Sequence, residues 1–497
     1  MTGDEPRTTV GPLPKPTPTD SWLPAALTRA TWLLWVLSVG ALAVHLWSGA
    51  TWTVAGRLRV DGLTVVLWVA VTFFSGIVHS YSRRYMAGNG GVDRFFARVF
   101  AFTLTVMVLV AADGLLVFGA AWLAMGLVMA GLIGHAREWS QARAAASHAR
   151  RYFLASSALL GVALATLWWT TGATTVSGVA SSVGAAPSSA LLVAAAALLL
   201  AAMVQSALLP FHTWLLSSMT APTPASALMH AGFVNAGGVL LVRFAPVVTA
   251  DRGVMLAIVL AGAASALGGK LLKTVQSDVK STLACSTVGQ MGFMIMQAGL
   301  GFFAAAITHL VLHGFYKAYR FLASGGAVSR EHPATAAGAA TGLPSPLGAV
   351  VVGLTALAGG GVFALLTGEG TDLGGGLVLV GLVVLTVLHA AREALAHTDA
   401  PAAVRYGAVP LVALPALAAY AAVYRAVAGL LAGLPGVGHP VGLTPVHAAV
   451  ALAFLATYLA VESGVYRRSR RLYVALVNAT RPPTDTLLTT TEDYHEH

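Results

Sequence analysis

Apolar stretches recur along nearly the whole chain, and their length decides the fold before any single residue is considered. They fall at 28–47, 63–81, 98–112, 114–134, 152–170, 188–209, 225–248, 254–272, 282–300, 302–327, 346–366, 373–390, 407–427 and 447–466. A helix needs about 17–25 apolar residues to cross a bilayer. In lipid a backbone must satisfy its own amides, which leaves helices and closed barrels, and the alternating pattern of barrel strands is absent. The sequence therefore predicts an all-α, polytopic membrane protein of about fourteen transmembrane helices, some of them discontinuous.

Composition agrees. Of 497 residues, 57% are hydrophobic and 10% charged, with mean hydropathy +0.76, whereas a soluble domain carries about 25% charged residues. The net charge of +10 sits mainly in short loops between apolar runs, the positive-inside pattern of a membrane protein, so no nucleic-acid partner is expected. The single cysteine, Cys285, excludes an internal disulfide and any cluster of four thiolates. No haem-attachment motif and no dinucleotide fingerprint are present, so neither cofactor nor metal is expected in this chain, and electron transfer by it is disfavoured. The 53 glycines suit close helix packing.

The proline- and threonine-rich residues 1–20 read as a disordered cytoplasmic tail, 21–466 as the transmembrane domain, and 467–497 as a polar C-terminal tail. Arg83–Arg84 follow the second apolar run, and Arg137, Arg143, Arg150 and Arg151 follow the fourth. Both clusters then share the N-terminal side, which the positive-inside rule makes cytoplasmic in a plasma-membrane protein. The basic run Arg467, Arg468, Arg470 and Arg471 belongs there too, which requires an even number of crossings.

Chemistry concentrates in the middle third. Prolines 210, 222 and 224 interrupt apolar helix. Each removes an amide donor and clashes with the preceding turn, so a discontinuous helix is predicted there. Such breaks line ion sites in transporters, though a kink can also serve packing alone. His212 lies inside the break and His230 after it. Downstream, His309, His313 and Lys317 stand at i, i+4 and i+8, which stacks them on one helix face about 6 Å apart. Ionisable groups inside a membrane are costly and mark proton or ion paths. Histidine exchanges protons near neutrality and a buried lysine can act as a switchable base. The alternative is that Lys317 snorkels to the interface while the histidines bond carbonyls.

His230, His309, His313 and Lys317 are therefore the candidate proton relay, with His212, Lys270, Gln205 and Asp113 as possible accessories. Asp278 and Lys280 read as water-facing groups at a helix end. Asp113, Arg392–Glu393 and Glu462 fit helix boundaries, and His45, His389 and His447 receive no role.

YSRRYM (81–86), PFHTWL (210–215), APTPASALMHAG (221–232), DVKSTLACSTVGQMGFM (278–294) and HLVLHGFYKAYRFLASG (309–325) resemble the antiporter-like large subunits of respiratory complex I and of multisubunit sodium–proton antiporters. The resemblance covers about residues 55–370. MHAGFVNAGGVLLVRFAP (229–246) and the compact length are most similar to the DabB family, the membrane subunits of inorganic-carbon accumulation systems. That resemblance implies an antiporter-like fold, proton or other cation coupling, and a DabA-like zinc partner resembling β-carbonic anhydrases. Any zinc and any hydration of carbon dioxide would then belong to the partner, and this chain would be a transport subunit rather than an enzyme. Two departures follow. Where the family carries a glutamate after the tryptophan of the 114–134 run and a lysine before the PFHTWL proline, this chain has Leu123 and Gln205. A further lysine expected near 354–366 is not evident. The functions in competition are inorganic-carbon uptake, a respiratory or cation–proton antiporter subunit, and a scaffold that does not conduct.

Overall fold

The computed structural model describes residues 21–324, 346–370, 375–396, 401–438, 442, 444–462, 469–483 and 486. The tail expected at 1–20, Arg467 and Arg468, and the side chains of His389, Arg392, Glu393 and Glu462 lie outside that description. The helices run α1 (Leu23–Ser48), α2 (Gly62–Tyr85), α3 (Val92–Ala111), α4 (Leu115–Ile133), α5 (Ser140–Thr171), α6 (Val176–Ser182) and α7 (Ser188–Gln205). Short pieces follow, α8 (Thr213–Ser217), α9 (Thr223–Ala231), α10 (Ala236–Arg243) and α11 (Ala245–Val248). The remainder is α12 (Arg252–Lys273), α13 (Val279–Gly299), α14 (Phe303–Ala323), α15 (Pro346–Thr367), α16 (Gly375–Ala396), α17 (Ala402–Leu431), α18 (Pro445–Glu462) and α19 (Arg470–Thr480). A hairpin of β1 (Trp52–Val54) and β2 (Leu58–Val60) joins α1 to α2.

Among the described residues, ten segments are long and apolar enough to cross a membrane: α1 to α5, α7, the α9–α10 pair, α12, and most of α15 and α17. Helices α13 and α14, at 21 residues each, reach about 31 Å at 1.5 Å per residue, but they carry more polar side chains. Helices α16 and α18 contribute shorter apolar portions. Length and apolarity alone therefore do not reach the expected count of about fourteen, because part of the bundle's polarity sits in helices that others enclose. The C-terminal segment expected as a polar tail includes α19, capped by the Ser469 hydroxyl and burying Leu476.

Among the described residues the apolar side chains form a small cluster of Ala70, Phe74, Ala231 and Ala318 and two large cores. One spans α2 to α5, α7, α9 and α10 and reaches one side of α12, α13 and α14. The other joins the opposite side of α12, α13 and the start of α14 to α15, α16 and α17. Helices α12 and α13 meet backbone to backbone. A Cβ on Gly292 would run into the amide of Ala266, and one on Gly269 into that of Gly289, the small-residue contact that lets membrane helices approach closely.

The broken segment lies where the prolines place it, with one addition. Pro210 is in the irregular link between α7 and α8, Pro222 precedes α9, and Pro224 occupies its first turn, where a missing amide leaves no bond unmade. A further break follows His230 with no proline in it: Gly232 leaves helical geometry at φ −125 and ψ −64, and one 3-10 turn, Phe233–Asn235, leads into α10. Backbone groups freed by these breaks find side chains. Asn235 Nδ2 donates to Ala231 O at 2.7 Å, Ser206 Oγ to Val234 O at 2.6 Å, and Trp214 Nε1 to Val204 O at 3.0 Å. The Leu209 amide donates to Ser265 Oγ at 3.1 Å. Irregular backbone at membrane depth is tolerated only with such partners.

One ion pair ties the far end of the break to the rest. Arg243, closing α10, donates to both carboxylate oxygens of Asp61 at 2.5 and 3.1 Å, to Thr64 Oγ1 at 2.7 Å and to Val110 O at 2.5 Å. Asp61 also caps α2 through the Thr64 amide at 3.0 Å. Both charges are buried, and removing one member of such a pair strands the other. Asp61→Ala is expected to lower unfolding stability by about 3–5 kcal/mol, read as thermal denaturation in detergent. The double variant Asp61→Leu/Arg243→Leu is expected to recover much of that loss, and equal losses in single and double variants would count against the clamp.

Candidate functional site

Helix α14 brings its three titratable residues to the wall between the two cores. His309 is 8% exposed, His313 6% and Lys317 fully buried. Snorkelling of Lys317 to the interface is thus overturned: the stem points inward, and Nζ donates to the Leu283 carbonyl on α13 at 2.8 Å. The imidazoles of His309 and His313 stand 5.9 Å apart between ring centres, and His309 packs against Phe293 at 5.3 Å. The i, i+4, i+8 spacing has produced a column, about 12 Å from first to last at 1.5 Å per residue.

His230 joins this column through α13. Its Nδ1 lies 2.9 Å from Thr287 Oγ1, and the Thr287 hydroxyl donates to Leu283 O at 2.9 Å, the same carbonyl that accepts from Lys317. With that hydroxyl proton committed to Leu283, His230 Nδ1 is the donor to Thr287, which leaves Nε2 as the ring's acceptor. The ring is fixed by stacking on Phe321, 4.4 Å between centres at 18°. Among the described residues, His230 Nε2, both ring nitrogens of His313 and Thr308 Oγ1 are buried without a hydrogen-bond partner. Buried polar atoms of this kind are uncommon and call for a mobile or solvent partner. Beside the lysine end, a cavity of about 160 Å³ is lined by Lys273, Asp278, Leu283, Ser286 and Arg320 among others. It brings polar groups and space to the residue whose carbonyl holds Lys317.

The accessory candidates fall elsewhere or at the margin. His212 is not drawn into the column: its Nε2 bonds Ala479 O on α19 at 2.9 Å and its Nδ1 lies 3.3 Å from Pro210 O. Asp113 receives the Ser177 amide at 2.9 Å and the Ser177 hydroxyl at 2.7 Å, which anchors the start of α6. Gln205 ends α7, buried, with Nε2 unpaired among the described residues. Lys270 is half-buried on α12, where that helix passes Gly289 of α13. Lys280 corrects the reading of a water-facing helix end: it turns inward and donates to Met219 O and Ala221 O at 3.3 and 3.2 Å. Asp278 is exposed and caps α13 through the Ser281 amide at 2.8 Å. Leu123 is half-buried on α4, beside Trp122. Among the described residues no group of three metal-binding side chains is assembled.

Sequence reasoning missed Thr287, which only a tertiary contact could reveal, and His79. The latter is buried on α2, with Nδ1 2.8 Å from Ser75 O and Nε2 unpaired among the described residues. An isolated histidine in the apolar run 63–81 was the available signal. Asp61 and Arg243 were missed too; an arginine inside the apolar run 225–248 was the clue.

Thr287→Val keeps the shape and removes the hydroxyl that joins His230 to Leu283. It is expected to destabilise the protein by about 1–3 kcal/mol, the penalty for a buried donor left unmade, while Thr287→Ser stays close to wild type. Thermal denaturation of the purified chain compares them, and equal stability of the valine and serine variants would contradict the contact.

Comparison with known proteins places this geometry. The family described as NADH:quinone oxidoreductase/Mrp antiporter, TM, matches residues 112–424, and the complex I chain 5 N-terminus matches 47–96. The chain is 38% identical over 289 residues to a probable inorganic carbon transporter subunit DabB1 of Halothiobacillus neapolitanus, covering 56% of this chain and 52% of that one. It is 35% identical over 286 residues to the corresponding DabB of Bacillus subtilis, 56% of each chain. It is 32% identical over 294 residues to NADH-quinone oxidoreductase subunit L of Mycobacterium tuberculosis, 57% of this chain and 46% of that one. The chain thus spans about half the length of the curated relatives it matches. In fold it is similar to a chain of the Mrp complex from a Dietzia species, with TM-score 0.59 at 22% identity over 92% of this chain and 58% of that chain. It is equally similar to a chain of an archaeal membrane-bound sulfane sulfur reductase, with TM-score 0.59 at 16% identity over 93% and 92%. The chain is a multi-pass membrane protein that belongs to the NADH:quinone oxidoreductase/Mrp antiporter family.

Proposed function

We propose that this chain is the proton-conducting membrane subunit of an inorganic-carbon uptake complex. The observation that carries the conducting part is the buried column His309, His313, Lys317, linked to His230 through Thr287 and the Leu283 carbonyl. A path for protons needs groups that accept and release them, spaced for transfer and shielded from lipid. The histidine rings supply lone pairs, and among the described residues His230 Nε2 and both His313 nitrogens have no hydrogen-bond partner. At 5.9 Å between ring centres, transfer between His309 and His313 runs through water or a ring rotation, since a direct hydrogen bond needs about 3 Å. Lys317 then exchanges its proton toward the cavity beside Leu283.

The inorganic-carbon part rests on the names of the DabB relatives. It carries with it a zinc-containing, DabA-like partner resembling β-carbonic anhydrases, which would hydrate carbon dioxide while this chain contributes no reaction chemistry. The arginine-rich face, and with it the N-terminus, is assigned to the cytoplasmic side of the plasma membrane by its charge. A second reading, a subunit of a respiratory or cation–proton antiporter complex, is favoured by the similarity to subunit L of Mycobacterium tuberculosis.

Growth separates the two. A strain lacking this chain is expected to fail in air and recover under elevated carbon dioxide, and equal growth in both atmospheres would overturn the carbon assignment. His313→Ala and Lys317→Ala are expected to assemble normally and lose about a hundredfold in uptake rate, the lower end of what a positioned proton-transfer group contributes. Assembly with uptake intact in both variants would leave the chain a scaffold.

A further inference from the structure

A second cluster of charge lies away from the column. Helices α3, α4 and α5 border an open cavity of about 500 Å³ lined by the half-buried Arg98 and by Arg137, Arg143 and Arg150, which are exposed at its rim. Among the described residues no carboxylate lines it. Arg98 donates to Gly131 O at 2.6 Å, and Arg143 to Arg137 O at 2.6 Å and Glu138 O at 3.3 Å. These partners are main-chain carbonyls, which orient the guanidinium groups and leave their charge uncancelled. Two cations held by neutral partners, with the exposed Arg137 and Arg150 beside them, form a site for an oxyanion, and planar guanidinium forks match phosphate in particular.

The site sits at the membrane boundary. Helix α5 has 32 residues, about 48 Å of helix against a hydrocarbon core of about 30 Å. Trp168 and Trp169 stand exposed at its far end, where interfacial tryptophans belong. Counting back about twenty residues, one hydrocarbon thickness, reaches Arg150 and Arg151 at the opposite headgroup level, with Arg143 just outside. Leu127, lining the same cavity, is 42% exposed on the lipid side of α4, and Trp139 at the start of α5 is 58% exposed. The mouth therefore borders both lipid and headgroups, which a soluble anion does not require and a phospholipid does.

We infer that this cavity binds the phosphate of an anionic phospholipid, with Arg98, Arg143 and Arg150 as its ligands and Leu127 beside the acyl chains. Arg83 and Arg84 are exposed at the end of α2 outside the cavity, so they report what a merely basic membrane face contributes.

Native mass spectrometry of the full chain in mild detergent tests the inference, with phosphatidylglycerol, phosphatidylcholine, inorganic phosphate and bicarbonate titrated separately. Phosphatidylglycerol is expected to bind in preference to phosphatidylcholine. Arg98→Gln/Arg143→Gln/Arg150→Gln is expected to weaken it by roughly a hundredfold, about fivefold for each cation removed, with Arg83→Gln/Arg84→Gln unchanged. Arg150→Gln alone, at an exposed position, keeps the test decisive should the triple variant misfold; its expected loss is about fivefold. Equal weakening in the cavity and control variants overturns the site. Binding of free phosphate or bicarbonate at the cavity with no preference for phosphatidylglycerol overturns the lipid assignment.

Discussion

The contact between the Lys317 amine and the Leu283 carbonyl organises the centre of the molecule, because an amine with no exposed surface must be held by something inside the protein. Leu283 can serve because its donors share the two lone pairs of the carbonyl oxygen. It accepts from Thr287 as well, and Thr287 in turn holds His230. Those bonds depend on the position of α13. The glycine seam against α12 fixes that position, since Gly262, Gly269, Gly289 and Gly292 leave the two backbones in contact. A register shift of α13 would carry Leu283 and Thr287 away from their partners together, so the packing of two helices sets the geometry of groups on two others.

The column itself was legible in the sequence, and the reason is geometric. Residues at i, i+4 and i+8 share a helix face whatever surrounds them, so His309, His313 and Lys317 could be grouped without knowing a neighbour. The apolar runs were legible for the same reason, since crossing length is a local property. What escaped was long-range. Asp61 and Arg243 are 182 positions apart, and His212 meets Ala479 across 267; periodicity says nothing about such pairs. The break after His230 also escaped, because Gly232 and a 3-10 turn make it without a proline. Length and apolarity alone identify ten crossings among the described residues, because enclosed helices such as α13 and α14 need not be apolar throughout.

Charge is arranged differently at the two ends of the bundle. At the end holding the β1–β2 hairpin, acidic groups are committed to structure: Asp61 pairs with Arg243, Asp113 anchors α6, and Asp251 caps α12. At the other end, Tyr85, Thr223 and Lys280 draw the ends of α2, α9 and α13 together, and Arg98 of α3 and Arg143 of α5 are held by carbonyls. Uncancelled positive charge can persist there because water and headgroups solvate it, whereas deeper in lipid it would need a counter-ion. The same separation bears on the column, whose polar partners are a hydroxyl and a carbonyl and whose neighbouring cavity is lined by Lys273, Arg320 and Asp278 among the described residues.

Repulsion between positive charges limits how a proton could travel along the column. Two protonated groups about 6 Å apart repel by about 3 kcal/mol at an effective dielectric near 20, a penalty of about a hundredfold in occupancy. A proton arriving on His313 while Lys317 is charged would meet that penalty, and it is relieved as Lys317 gives up its own proton toward the cavity at Leu283. On the proposed function, the column would thus hold one added charge at a time and pass it by displacement, with the lysine acting as the gate.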